Sequence, residues 1–429
     1  MLTALLFAAL VPQQPDPATL QRELTQLVDL SSSKARAIAA ERLAGKKLAT
    51  LEQWSAACAA FGEFEAIEAG TTRQTVPLVV LDETEATEIH LYVPRGYDPK
   101  VPAPLLLWGH GAGGTGAREH LHWQEIADRI GMFVLAPTEF GKTPGWGSTP
   151  RERYAQLAAL RWARRRANID ENAVFVGGAS RGGHMAWDLA LRFPDLWAGA
   201  LPCIGGPRIE IGERNNMRYL ENVAQLPIRD LQGSKDDPLL LANLHLVFDR
   251  LRKMKAGDAV LHEFAELGHA FELGVVDWAQ FFANRRPAAP GRVVRMAADL
   301  AQARAAWIEI TAVEGDVRVA AQPRVNAARW DRLDDAGRRA LTHDGIVKLT
   351  ARLEVTDRGQ GRFTAKGEGV RSFELWLGVD MLGAKDTVEV KWNGRTVRKS
   401  ATASVGVLLA DFAERFDRTR LAVARVSVP

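Results

Sequence analysis

"VFVGGASRGGHMAWDLALRFPDLWAGALPCIGG", residues 174–206, runs an apolar segment into Gly-Gly-Ala, places one serine, and follows it with two glycines. A buried strand with an ordinary connection needs none of that. Gly178-Ala179-Ser180-Arg181-Gly182 fits G-x-S-x-G, directly after a predicted strand and directly before a predicted amphipathic helix. A turn this sharp crowds the positions two before and two after the serine, which explains a glycine at each. The serine takes strained dihedrals and projects its Oγ beyond the carboxyl edge of the sheet. The helix that follows aims its N-terminus at the same place, so the N–H of Arg181 is expected to donate to a developing oxyanion.

Outward from this turn, strand-like and helix-like runs alternate. "APLLLWGH" and "MFVLAP" read as strands on one side of it, and "LPIRDLQG" and "AVLHEFAE" on the other. Helical patterns such as "RERYAQLAALRWARRRA" and "PLLLANLHLVFDRLRKMKAG" separate them. Such alternation over about 200 residues implies right-handed crossovers and a mostly parallel, doubly wound α/β sheet. A predicted hairpin, "QTVPLVVLD" and "ATEIHLYVP", opens the unit.

A serine hydroxyl needs a base to take its proton and a carboxylate to orient that base. In doubly wound hydrolases these follow in the order Ser, Asp or Glu, His, on loops after successive strands. "GSKDDP" offers Asp236 and Asp237, and "LGHAF" offers His269. Gly-x-x-Asp after the strand favours Asp236. Asp237, before Pro238, reads more like a helix N-cap. Asp258 precedes its strand and lies at the wrong end of the sheet. The second oxyanion donor is expected from the glycine-rich "WGHGAGG", from Ala112 with Gly113 beside it.

With these motifs in order, the chain resembles the α/β-hydrolase superfamily, notably esterases and peptidases related to polyhydroxybutyrate depolymerases, feruloyl esterases and prolyl-oligopeptidase catalytic domains. The resemblance covers about residues 74–285. It implies an α/β-hydrolase core, a Ser180–Asp236–His269 triad and no cofactor. Many relatives carry methionine where this chain has Arg181. A charged side chain there is a candidate for touching substrate or holding a loop.

Other histidines have blander readings. His110 is expected to pack under the oxyanion loop, with substrate contact as the alternative. His184, one turn after Ser180, is expected to steer helix packing. His120 and His122 have i,i+2 spacing that does not place both on one helix face, so no metal site is expected. Trp146, in "TPGWGSTP" after a strand, is a candidate for lining the substrate pocket, because loops at that sheet edge form it.

The chain has 429 residues, room for two folded units plus appendages. A net charge of +3 without a basic-aromatic stripe argues against a nucleic-acid partner. Residues 1–15 have the proportions of a signal peptide, without a basic n-region, and point to export. No segment is long and apolar enough to span a membrane. The two cysteines, Cys58 and Cys203, sit in apolar runs and are expected to be free and buried; whether they pair is left open. Residues 16–73 read as a helical preface, 74–287 as the catalytic domain, and 288–429 as a β-rich domain. In that last unit "DVRVAAQ", "GIVKLTARLEVT" and "DTVEVKWNGRTVRKSA" read as strands, with one helix around "LLADFAERF". Trp307, Trp330, Trp376 and Trp392 there suit either a sugar-stacking face or a β core, and core is the expectation.

The leading reading is a serine esterase acting through an acyl-enzyme on a small-molecule or polymer-linked ester. A serine peptidase on the same fold is the runner-up, and a binding protein with a relic triad is third.

Overall fold

The computed structural model describes residues 15–140, 146–210 and 212–429. The expected signal peptide falls almost wholly outside them. Three helices come first: α1 (Pro17–Val28), α2 (Ser33–Gly45) and α3 (Leu51–Ala59). Each starts on a side-chain cap, Asp16, Ser32 and Thr50 respectively, which satisfies free N–H groups of the first turn.

A hairpin follows, β1 (Gly70–Val80) with β2 (Glu83–Val93). Its two-residue turn puts Leu81 and Asp82 at φ 52° and 65°, the positive pair that matches strand twist. The alternating part comprises β3 (Ala103–Gly109), α4 (Gly116–Glu119), α5 (Gln124–Ile130), β4 (Phe133–Pro137), α6 (Pro150–Arg164) and β5 (Ile169–Ala179). It continues with α7 (Arg181–Arg192), β6 (Gly199–Cys203), β7 (Ile228–Gly233), α8 (Pro238–Lys253), β8 (Ala259–Phe264) and α9 (Trp278–Phe282). The eight strands form one sheet in the order β1-β2-β4-β3-β5-β6-β7-β8. The hairpin is antiparallel and every pairing from β4 to β8 is parallel. This is the α/β-hydrolase fold.

Strand periodicity sends alternate residues to opposite faces. Leu105 and Leu107 of β3 pack with Ala159, Met185 and Leu244 of α6, α7 and α8. Leu106 and Trp108 pack with Ala127 of α5 and Trp278 and Phe281 of α9. After β8 a 3₁₀ turn at Leu273–Val275 leads to the five-residue α9. That short helix holds because Trp278, Phe281 and Phe282 are all buried, each contributing roughly 2–3 kcal/mol of apolar transfer.

Beyond Arg286 the chain forms β9 (Arg292–Ala297), β10 (Arg304–Ala305), β11 (Ile308–Val313), α10 (Ala327–Trp330) and α11 (Asp335–Val347). Then come β12 (Ala351–Asp357), β13 (Arg362–Glu368), β14 (Val370–Leu377), β15 (Thr387–Trp392), β16 (Arg395–Ser400), α12 (Val405–Arg415) and β17 (Ala424–Val428). A four-stranded sheet β10-β11-β14-β17 faces a five-stranded sheet β16-β15-β13-β12-β9. Ring contacts such as Phe373 on Trp392, centroids 4.4 Å apart, join the two. Asn393 and Gly394, φ 44° and 84°, turn the β15–β16 hairpin.

Two expectations fail here. "DVRVAAQ" is turn and irregular chain, and Gly345–Val347 end helix α11 instead of starting a strand. The apolar run "GIV" packs as a helix end because Asp334 caps a helix that begins ten residues earlier, accepting from Gly337 N–H at 2.8 Å. Trp307 and Trp392 are buried, and Trp376 lies against the guanidinium groups of Arg304 and Arg425 at 4.0 and 4.8 Å. Trp330 is partly exposed, with the Arg338 guanidinium 5.7 Å from its ring.

Helices α1–α3 share their core with α12, and the preface ends at Gly70, where β1 of the hydrolase sheet begins. Leu24, Trp54, Cys58 and Phe61 share a core with Leu408, Phe412 and Phe416, on and just after α12. The two chain ends thus close on each other, and Arg161 of α6 donates to carbonyls of both, Val28 and Ala413. Cys58 lies in this core and Cys203 in the hydrolase core; both are free and buried.

Candidate active site

Ser180 stands between β5 and α7 at φ 57°, ψ −113°, a strained backbone for a residue with a side chain. Its N–H donates to Cys203 O of β6 at 2.9 Å, and its carbonyl accepts from His184 N–H at 3.0 Å. The flanking glycines are required by contact. A Cβ on Gly182 would lie 2.0 Å from Gly109 O, and one on Gly178 would lie 2.5 Å from Gly182 O. The turn is thereby pressed onto the end of β3, and Ser180 Oγ faces the carboxyl edge.

His269 reaches that oxygen from the loop after β8, with Nε2 2.8 Å from Ser180 Oγ. Its Nδ1 lies 2.8 Å from Asp236 Oδ2, on the loop after β7. With the proton on Nδ1 donated to Asp236, Nε2 is left to accept from the serine hydroxyl. The two loops are set against each other so tightly that a Cβ on Gly233 would meet Gly268 O at 1.9 Å. The Asp236 side chain is 7% exposed and that of His269 52%, so the acid is sheltered while the imidazole stays open to a ligand.

Burial pushes the Asp236 carboxyl up. The Asp237 N–H, His269 and Gln232 more than offset this and hold it below the usual carboxylate range. Asp237 caps α8, accepting from Leu239 and Leu240 N–H at 2.7 and 3.2 Å. Asp258 sits at the amino end of β8, paired with Arg229 at 2.7 Å. The sequence reading missed Gln232. It is fully buried on β7, and its Nε2 donates to Asp236 Oδ2 at 2.7 Å. No local signal singled it out, because β7 also carries Arg229 and Asp230.

Arg181 is the first residue of α7, and its N–H has no carbonyl within that helix to meet. Across the serine, the loop 111–114 is closed by Gly114 N–H donating to Gly111 O at 3.1 Å. Ala112 and Gly113 are exposed at its tip, and among the described residues neither N–H donates to a protein acceptor.

His110 and Trp146, candidates for touching substrate, lie behind this loop instead. His110 is 2% exposed and Trp146 fully buried, their rings 5.4 Å apart. His110 Nε2 accepts from Glu139 N–H at 2.9 Å, so its Nδ1 carries the proton donated to Gly111 O at 2.8 Å. Burial holds this imidazole below its ordinary pKa, which keeps it neutral in that role. Loop position suggested a pocket wall, but core packing against Gly109 claimed the tryptophan. His120 is buried too, bonded to Thr71 and Gly116 at 2.8 and 2.9 Å. His184 contacts Gly206 O at 2.5 Å.

Fold and site together define a class: an α/β-hydrolase fold with a serine, a histidine and a carboxylate in hydrogen-bond series at its sheet edge. The chain matches no protein-family model. Over 155 residues, 35% of its length, it is 26% identical to the bifunctional acetylxylan esterase/xylanase XynS20E of Neocallimastix patriciarum, covering 22% of that protein. Over 137 residues, 27% of its length, it is 26% identical to probable carboxylesterase 8 of Arabidopsis thaliana, covering 41% of it. The chain thus spans less than half the length of either curated relative. Among solved structures, half of this chain superposes on 60% of a thermostable esterase, at 22% identity and TM-score 0.38. Half of it also superposes on 99% of the acetyl xylan esterase from Aspergillus awamori, at 14% identity and TM-score 0.38.

Proposed function

We propose that this protein is a serine hydrolase of carboxylic esters. The single observation that carries the proposal is the 2.8 Å contact from Ser180 Oγ to His269 Nε2, with Asp236 2.8 Å behind the imidazole. In this reading Ser180 Oγ attacks the ester carbonyl carbon while His269 Nε2 takes its proton. Asp236 holds the tautomer and stabilises the imidazolium. The N–H groups of Arg181 and Ala112, with Gly113 beside them, receive the oxyanion. The C–O bond to the alcohol breaks as His269 returns the proton to the leaving oxygen. Water then attacks the acyl-enzyme, giving its proton to His269, and the free acid and Ser180 hydroxyl are regenerated. Every proton is carried by the chain itself, and the cycle calls for no cofactor or metal.

The esterase names of the two curated relatives support an ester over a peptide. Export, read from residues 1–15, belongs to the same proposal, and N-terminal sequencing of the protein recovered from a secretion host checks it.

Ser180→Ala tests the assignment. Hydrolysis of a p-nitrophenyl ester should fall by about 10⁴–10⁶ in kcat with the fold retained. A fluorophosphonate should label the wild type at Ser180 alone. Labelling elsewhere, or undiminished turnover in the variant, removes the proposal. A dipeptidyl amide cleaved with higher kcat/KM than every ester tested turns it into a peptidase.

A further inference from the structure

Arg181 is half-buried beside the nucleophile, and its guanidinium makes no hydrogen bond or ion pair with any described residue. Residues 1–14, 141–145 and 211, outside the description, include no Asp or Glu, so no carboxylate there could pair with it. A guanidinium in that position carries five donors and a positive charge that no carboxylate of the described chain neutralises.

A second arginine, Arg208, lies near enough to feel the Arg181 charge. His184, one turn along α7 from Ser180, donates from Nδ1 to Gly206 O at 2.5 Å and so holds the segment that leads to Arg208. Arg208 is then fixed by Asn216, which is fully buried: its Oδ1 accepts from Arg208 N–H at 2.7 Å, and its Nδ2 donates to Asp188 of α7 at 3.0 Å. The Arg208 side chain is mostly buried, and its Nε is without a partner among the described residues. Among the described residues its ion partner is Glu210, which stands off at 3.7 Å and is shared with Arg214 at 3.1 Å. The local field is felt at His184, pushed down to about 4 by burial first and then by Arg208, His269 and Arg181.

Resting on the esterase reading, we infer that the preferred substrate carries a carboxylate a few bonds from the scissile ester, received by Arg181 with Arg208 behind it. A guanidinium fork matches a carboxylate with two parallel N–H···O bonds, a geometry a neutral ester chain cannot use. The substrate class is therefore the half-ester of a dicarboxylic acid, or an ester of an acidic alcohol.

The test compares mono-p-nitrophenyl glutarate with p-nitrophenyl valerate, which has the same chain length without the charge. In the wild type, kcat/KM should favour glutarate by about 10–100-fold, the worth of hydrogen bonds to a charged group. Arg181→Met should bring that ratio to about one, Arg181→Lys should leave it intermediate, and Arg208→Gln should lower it. The ratio is internal to each variant, so any general loss of activity cancels. Fluorophosphonate labelling of Ser180 gives a readout without turnover: the monoamide of glutarate should slow it in the wild type and not in Arg181→Met. A wild-type ratio at or below one, or a ratio that Arg181→Met leaves unchanged, overturns the inference while Ser180 labelling keeps the esterase reading. Absent labelling with neither ester hydrolysed overturns both.

Discussion

At the residue scale, Asp236 and Asp237 are adjacent carboxylates with opposite assignments. Asp237 spends its Oδ1 on two N–H groups of α8, while Asp236 Oδ2 faces His269. Asp236→Asn should therefore lower kcat by about 10⁴, because an amide favours the wrong imidazole tautomer. Asp237→Asn keeps a capping oxygen and should cost less than tenfold; steady-state kinetics on one ester separates them. Comparable losses would mean a shared role. Gln232 is expected to act as a positioning residue. Gln232→Met, close in volume, removes a donor to an ionised oxygen, worth about 1.5–3 kcal/mol. It should lower kcat about 10–100-fold with KM nearly unchanged, and Gln232→Glu should not rescue it. A variant whose KM rises while kcat holds would contradict that role.

At the scale of elements, β7 carries a second polar group that does no site chemistry. Asp230 is fully buried, and its Oδ2 accepts from Trp187 Nε1 of α7 at 2.7 Å. Burial, with a smaller push from Glu263, holds this carboxyl well above its ordinary value against the opposing Trp187 bond, so it folds protonated. A raised acid costs nothing below its unfolded pKa of 3.8 and costs progressively more as pH rises from there toward the folded value. Asp230→Asn keeps the acceptor and the shape. It should match wild-type Tm near pH 4 and exceed it increasingly toward pH 8. A Tm gap independent of pH would show that Asp230 ionises in the fold.

Over the whole molecule, the hydrolase is held to the segments that follow it by arginines. Arg286 pairs with Asp417 at 2.6 Å, and the two side chains are 2% and 3% exposed. Arg218, also buried, donates to Thr350 Oγ1 at 2.8 Å and Leu349 O at 2.6 Å beside the C-terminal sandwich. Removing one partner of a buried pair strands the other charge, at about 3–5 kcal/mol. Asp417→Asn should lower stability by that order at pH 7 in a denaturant titration. The Asp417 carboxyl is held far below its ordinary value: burial pushes it up, but Arg286, Arg164 and Arg415 outweigh it. Its contribution is thus complete above pH 3.8 and shrinks as pH falls below, where wild type and variant should converge. Replacing both partners, Arg286→Met with Asp417→Leu, should recover most of the loss.

The sequence by itself determined what is written in local spacing. The serine turn needs glycines within two residues of Ser180, and each strand of a parallel sheet announces its own loop, so Ser180, Asp236 and His269 are legible in order along the chain. The cap at Asp237 and the Asn393-Gly394 turn are local too. Only the tertiary structure decided the rest. Trp146 and His110 lie on loops whose positions suggest a pocket, but which way a ring faces depends on what packs behind it, and the core took both. Gln232 becomes visible only when β7 and the loop after β8 place it against the same oxygen as His269. The pairing of α1, α2 and α3 with α12 joins segments more than three hundred residues apart. An amphipathic helix records that it has an apolar face, not which surface will cover it.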